Sequence, residues 1–171
     1  KLINMGIISK NIFKVGSLGA INVLNVRKKN LNTIGKEIRM KLNDRIVLFT
    51  YHPTTLYTKD DKNFVKTALN FFKNTDIQII ISNPNEDHSR IKISKTYQKY
   101  KKCPNFLFIK NLGYENYANL LKYSKIMIGN SSSGIMEAAS YNLPVLNLGT
   151  RQKDRITSNN VINIEKFNYN K

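Results

Sequence analysis

A chain of 171 residues, 41% of them hydrophobic, has the length and apolar content of one domain with a real core, and no apolar run approaches the ~18 residues that a bilayer-spanning helix needs. The formal charge of +17, from 28 Lys and Arg against 11 Asp and Glu, invites a nucleic-acid partner. The lysines are scattered from Lys1 to Lys171 instead of clustered, no aromatic-basic RNA-binding motif stands among them, and the expectation is no nucleic acid and no membrane.

In chain order, residues 12–15 predict a strand, Gly16-Ser17-Leu18-Gly19 the loop after it, and 32–41 a helix. Ile46-Val47-Leu48-Phe49 is the apolar, β-branched run of a buried strand, ended near Pro53. Phe64, Ala68, Phe71 and Phe72 recur at helical spacing within 60–73, and Ile77 to Ile81 form the next strand, closed by the turn Ser82-Asn83-Pro84-Asn85. A polar surface helix over 89–102, a strand over 106–109, a helix over 114–123, a strand over 126–128, a helix over 133–141 and a strand over 144–148 complete the series. Beyond Arg155 the signal fades, and 159–171 are expected to be frayed.

Repeated β-α order implies a parallel sheet covered on both faces, and the right-handed crossover rule makes it a Rossmann-like, doubly wound, three-layer α/β fold. Ligands of such sheets bind outside the carboxyl ends of the strands. There the sequence sets Tyr51-His52-Pro53-Thr54-Thr55, Asn83 to Asp87, Gly129 to Gly134 and Gly149-Thr150-Arg151.

The segment Ile128-Gly129-Asn130-Ser131-Ser132-Ser133-Gly134-Ile135-Met136-Glu137 runs from a strand through a small-residue turn into a helix. Hydroxyls and free N–H groups there make a phosphate site, with Glu137 facing ribose hydroxyls. Plain N-capping by Ser131 or Ser132 is the equal alternative. No Walker loop, no Gly-x-Gly-x-x-Gly fingerprint and no Gly-x-Ser-x-Gly elbow is present, so bound NAD and a serine nucleophile are not expected. His52, at a strand end, is placed to donate to a phosphate oxygen or shuttle a proton. Arg151 either bridges anionic oxygens or is a surface charge, and Asn85 either caps a turn or meets a ligand. His52 and His88 without a Cys or acidic cluster make no metal site. Cys103 is the single cysteine, which forbids an internal disulfide and fits a reducing cytoplasm. The start, Lys1 to Gly6, is too short and polar for a signal peptide and reads as a cut from a longer chain.

Together, Tyr51 to Thr55, Pro84-Asn85-Glu86-Asp87, Gly129 to Ser140 and Leu143-Pro144-Val145-Leu146-Asn147-Leu148-Gly149-Thr150-Arg151-Gln152-Lys153-Asp154-Arg155 resemble the UDP-N-acetylglucosamine 2-epimerases. Ile12 to Ser17 resembles that family's entry into its second domain. The hydrolysing branch is favoured, because the non-hydrolysing one carries His-Arg-Arg-Glu-Asn at His52-Pro53-Thr54-Thr55 and Ser-Gly-Gly at Ser131-Ser132-Ser133. The resemblance implies the C-terminal, nucleotide-binding half of a two-domain GT-B fold, residues 1–171 forming that single domain and the catalytic N-terminal half missing. It implies a UDP-sugar substrate, no cofactor, a homo-oligomeric full-length enzyme, and an inactive fragment. Ser131 and Ser132 would hold the pyrophosphate, Glu137 the ribose, Asn85 and Arg151 other parts of the nucleotide. His52 would lie by the diphosphate as UDP departs. The reaction yields N-acetylmannosamine or a diacetamido analogue, for sialic or legionaminic acids. A GT-B glycosyltransferase donor domain and a basic nucleic-acid module are the alternatives.

Overall fold

The middle strand, β1 (Ile46–Thr50), is buried along its whole length, and this dictates the architecture. A strand apolar on both faces must be covered on both. In the computed structural model, which describes residues 2–53, 59–82 and 90–167, six strands form one parallel sheet in the order β3-β2-β1-β4-β5-β6. The others are β2 (Gln78–Ser82), β3 (Phe106–Ile109), β4 (Ser124–Gly129), β5 (Val145–Leu148) and β6 (Val161–Ile164). Successive side chains of β1 part company as the pleat requires. Val47 and Phe49 join one core, while Ile46 and Leu48 join the other.

The first core is closed by α3 (Lys59–Phe72) and α4 (Arg90–Gln98). On α3, Asp61, Phe64, Val65, Leu69 and Phe72 turn inward at helical spacing, and Asp60 and Asp61 suit the positive end of the helix dipole. Buried Asp61 accepts a hydrogen bond from the Tyr51 hydroxyl at 2.6 Å. The second core is closed by α1 (Leu18–Asn25), α2 (Leu31–Ile38) and α5 (Tyr114–Tyr123). Ser17 and Asn30 cap α1 and α2 by accepting from the amides of Ala20 and Thr33. Asn119 of α5 pins the link between those helices, accepting from the Lys29 amide at 2.9 Å and donating to the Arg27 carbonyl at 2.9 Å.

The expected α/β class and the strands from 46 to 148 are those observed. Four expectations are corrected. Residues 12–15 form no strand: no neighbouring strand meets them, and Phe13 and Val15 are exposed. A short apolar run alone does not identify a strand. Leu18 and Gly19, taken as loop, open helix α1. The supposedly frayed end contains β6, a parallel edge strand joined to β5 by the main chain and by Asn147, whose amide donates to Asn163 Oδ1 at 2.7 Å in direct register. The helix over 133–141 is two pieces, α6 (Ser132–Met136) and a 3-10 turn (Ala138–Tyr141), meeting at Glu137. No described helix is long and apolar enough to cross a membrane.

Candidate functional site

Four described chain segments meet at the carboxyl rim of β1, β4 and β5, and one residue, through its side chain and its main-chain carbonyl, ties three of them. Gly129 ends β4 at φ +139°, and a Cβ there would sit 1.9 Å from the Thr50 carbonyl oxygen, so only glycine lets β4 leave the sheet against β1. The next residue, Asn130, is 1% exposed. Its Oδ1 accepts from the His52 amide at 2.7 Å and its Nδ2 donates to the His52 carbonyl at 2.8 Å, a two-point clamp on the end of β1. The Asn130 carbonyl accepts from Arg151 Nη1 at 3.1 Å and from buried Gln152 Nε2 at 2.8 Å, which fixes the loop after β5.

Ser131 caps α6, its hydroxyl accepting from the Ser133 amide at 3.3 Å, so the capping alternative is realised. Ser132 opens the helix and is half-buried. With five residues α6 has little dipole of its own, so the groups here suited to an anion are the hydroxyls, the main-chain N–H groups and Arg151. Glu137 ends α6, and its carboxylate folds back one turn, where Oε2 accepts from Ser133 Oγ at 2.6 Å. Ser133 in turn accepts from the Tyr117 hydroxyl at 2.8 Å. Helix α1 reaches the same corner. A Cβ on Gly19 would meet Glu137 Cγ and Oε1 at 3.3 Å, so this glycine lets the first turn of α1 lie against the carboxylate.

Of the sequence-predicted residues, His52, Ser131, Ser132, Glu137 and Arg151 are gathered at this rim, His52 buried and Arg151 exposed. Asn85 and His88 lie outside the described residues, as do Thr54 and Thr55. Among the described residues no cluster of His, Cys, Asp or Glu could hold a metal ion. Three participants were not singled out from sequence: Asn130, Tyr117 and Gln152. The sole local signal was Asn130 following Gly129 at a strand end.

A cleft of about 240 Å³ adjoins the corner, lined by Ser82, Lys110, Asn111, Gly113, Tyr114 and Tyr117 among others. It opens at the carboxyl ends of β2 and β3. A larger apolar groove of about 480 Å³, between α3 and β4–β6, presents no converging polar groups and lies away from the corner.

A profile of the family described as UDP-N-acetylglucosamine 2-epimerase matches residues 1–168. The chain belongs to that family. Among curated members it is 35% identical over 170 residues to the GDP/UDP-N,N'-diacetylbacillosamine 2-epimerase (hydrolyzing) of Campylobacter jejuni, covering 96% of this chain and 44% of that protein. It is 33% identical over 165 residues to the UDP-N,N'-diacetylbacillosamine 2-epimerase (hydrolyzing) of Legionella pneumophila, with the same coverages. The chain thus spans less than half the length of these family members. The fold is shared with the UDP-GlcNAc 2-epimerase of Methanocaldococcus jannaschii, solved in complex with UDP-GlcNAc and UDP. That match has a TM-score of 0.70 at 19% identity, over 96% of this chain and 47% of the other. Such coverage is the proportion expected of one half of a two-domain GT-B enzyme.

Proposed function

We propose that this chain is the UDP-binding, C-terminal half of a hydrolysing UDP-sugar 2-epimerase. The observation that carries the reading is the Asn130 junction, which holds His52, the serine turn and Arg151 around one corner, with Glu137 one helical turn away. Ser131 and Ser132 donate to the pyrophosphate, and Arg151 adds a guanidinium suited to anionic oxygens. Glu137 accepts from ribose hydroxyls, because a carboxylate aimed at a phosphate would repel it. The cleft beside Tyr117 takes the base, and Asn85 completes the nucleotide contacts.

In this reaction the sugar loses its C2 proton, the C1–O bond breaks with UDP as leaving group, and a glycal forms. Water then adds across the double bond and releases the free 2-epimeric sugar. The chain's own part is to bind UDP and, through His52 and Arg151, to stabilise the charge that grows on the diphosphate as it departs. The groups that move the C2 proton belong to the other half. The names of the Campylobacter and Legionella relatives favour a diacetamido sugar over UDP-N-acetylglucosamine itself.

Product analysis on the full-length enzyme tests the activity: UDP and a free 2-epimeric sugar should appear without any acceptor, whereas a glycosyltransferase would need one. Calorimetry with UDP tests the site. Glu137→Ala should weaken binding by about 1–3 kcal/mol, the cost of losing hydrogen bonds to a charged group. Unchanged affinity in that variant removes the ribose role.

A further inference from the structure

Glu137 does not stand alone at the rim. Its Oε2 is held at 2.6 Å by the Ser133 hydroxyl, and Ser133 Oγ accepts at 2.8 Å from the Tyr117 hydroxyl on α5. The direction of this chain is forced. An ionised carboxylate only accepts, so Ser133 must donate its one proton to Glu137, and its lone pairs are then left for Tyr117. We infer that Tyr117, acting through Ser133, is a positioning residue that fixes the Glu137 carboxylate through Oε2 in one orientation, in which its remaining lone pairs serve the nucleotide. The inference rests on the proposed ribose role of Glu137 and adds residues to it.

Further observations support it. Glu137 sits at the break between α6 and the 3-10 turn, where no regular helix continues to fix its backbone. Tyr117 is anchored in the second core by its ring, so its hydroxyl is a fixed point relative to the sheet. Burial pushes that hydroxyl up to about 12, so it keeps its proton and remains a donor at any physiological pH. On the far side, Gly19 leaves no spare room: the Oε1 side of the carboxylate is bounded by α1 at 3.3 Å from an added Cβ. The same Tyr117 ring lines the cleft assigned to the base, so one side chain would align the base pocket with the ribose acceptor.

The test is a ribose preference: the ratio of dissociation constants for 2′,3′-dideoxyuridine 5′-diphosphate and UDP, measured by calorimetry on the full-length protein. Glu137→Ala should abolish the preference. Tyr117→Phe and Ser133→Ala should each cut it by roughly 3- to 10-fold, the worth of one hydrogen bond, while leaving affinity for the dideoxy compound within about twofold. Equal weakening for both ligands would mark Tyr117 as a structural residue only and overturn the inference, as would an unchanged preference. Should Tyr117→Phe fail to fold, Ser133→Ala breaks the same chain from its other end without altering the core. If wild-type protein shows no preference, or Glu137→Ala keeps it, the ribose role itself fails. If Glu137→Ala abolishes the preference and the other two variants retain it, only the positioning role fails.

Discussion

Asn130→Ala should cost this chain more than its small volume suggests. The side chain makes two hydrogen bonds, to the amide and the carbonyl of His52, at 2.7 and 2.8 Å, with both partners buried. Alanine removes both of these bonds from a buried N–H and C=O. Removing the bond of a buried polar group costs about 1–3 kcal/mol, so the two together give a loss of about 2–6 kcal/mol. For a domain of this size that is a fall in Tm of roughly 5–15 °C. Urea denaturation followed by circular dichroism reads the change directly. Asn130→Asp separates shape from donor chemistry. It keeps the acceptor for the His52 amide but turns an oxygen toward the His52 carbonyl, and should be at least as destabilising as alanine. A loss under about 0.5 kcal/mol for Asn130→Ala, the range of an ordinary surface change, would refute the clamp. Both variants should also weaken UDP binding at the proposed site, since the Asn130 side chain holds the end of β1 that carries His52.

Gly129→Ala combines a φ of +139° with a Cβ 1.9 Å from a backbone oxygen; it should cost about 4 kcal/mol or more, visible as loss of soluble folded protein or a collapsed urea midpoint. Lys29, in the link between α1 and α2, bonds Glu37 at 2.7 Å and Glu115 at 3.0 Å. The hydrogen bond from Lys29, then one from Asn116, holds the Glu37 carboxyl below its ordinary value, so that contribution is present above the ordinary carboxylate range and is lost as pH falls through the depressed value. Hydrogen bonds to Glu37 and then Glu115 hold the Lys29 ammonium above its ordinary value, so its contribution is full below the ordinary lysine range and is lost as pH rises through the raised one. The urea midpoint of Lys29→Met, subtracted from wild type, should therefore be level at neutral pH and shrink toward both extremes. Tyr117 has the opposite sense to a paired acid. Its raised value means the unfolded chain ionises first, so stability should fall between about 10 and about 12, and Tyr117→Phe should remove that part of the fall in an alkaline denaturation series.

How far the sequence spoke depended on where each residue finds its partner. The inner strands were legible because strands covered on both faces are written as unbroken apolar runs, as in Ile46 to Phe49 and Ile79 to Ile81. Helix α1 was not, because Gly19 and two asparagines interrupt it and Leu18, Ile21 and Leu24 face outward. Strand β6 hides for a related reason: it is four residues long and its apolar run is broken by Asn163, which makes sense only beside Asn147, sixteen residues earlier in the chain. Residues 12–15 erred the other way, apolar and β-branched yet without a strand beside them. At the site, His52, Ser131, Glu137 and Arg151 could be placed because strand ends alone bring them to one rim. Asn130 and Tyr117 could not, since their roles lie in hydrogen bonds to His52 and Ser133 that no local pattern encodes.

The two hydrogen-bond systems divide the labour of the corner. Asn130 looks toward β1 and β5 and sets the groups suited to the diphosphate; Ser133 looks toward α5 and sets the carboxylate suited to the ribose. Between them stand Ser131 and Ser132, on a helix too short to steady itself, yet held at both ends by bonds to separate strands and helices. Such a loop need not reorganise when an anion arrives, which is where a rigid site gains over a flexible one. The same arrangement explains why the proposed chemistry must be completed from outside. Glu137 is the carboxylate that the α6 segment brings to this corner, and Ser133 already engages one of its oxygens. A carboxylate already engaged by a serine at one oxygen suits the binding role proposed for Glu137 better than the removal of a proton from a sugar carbon. Under the proposed function the base for C2 belongs to the facing wall of the cleft, and this chain's part is to hold UDP and let it leave.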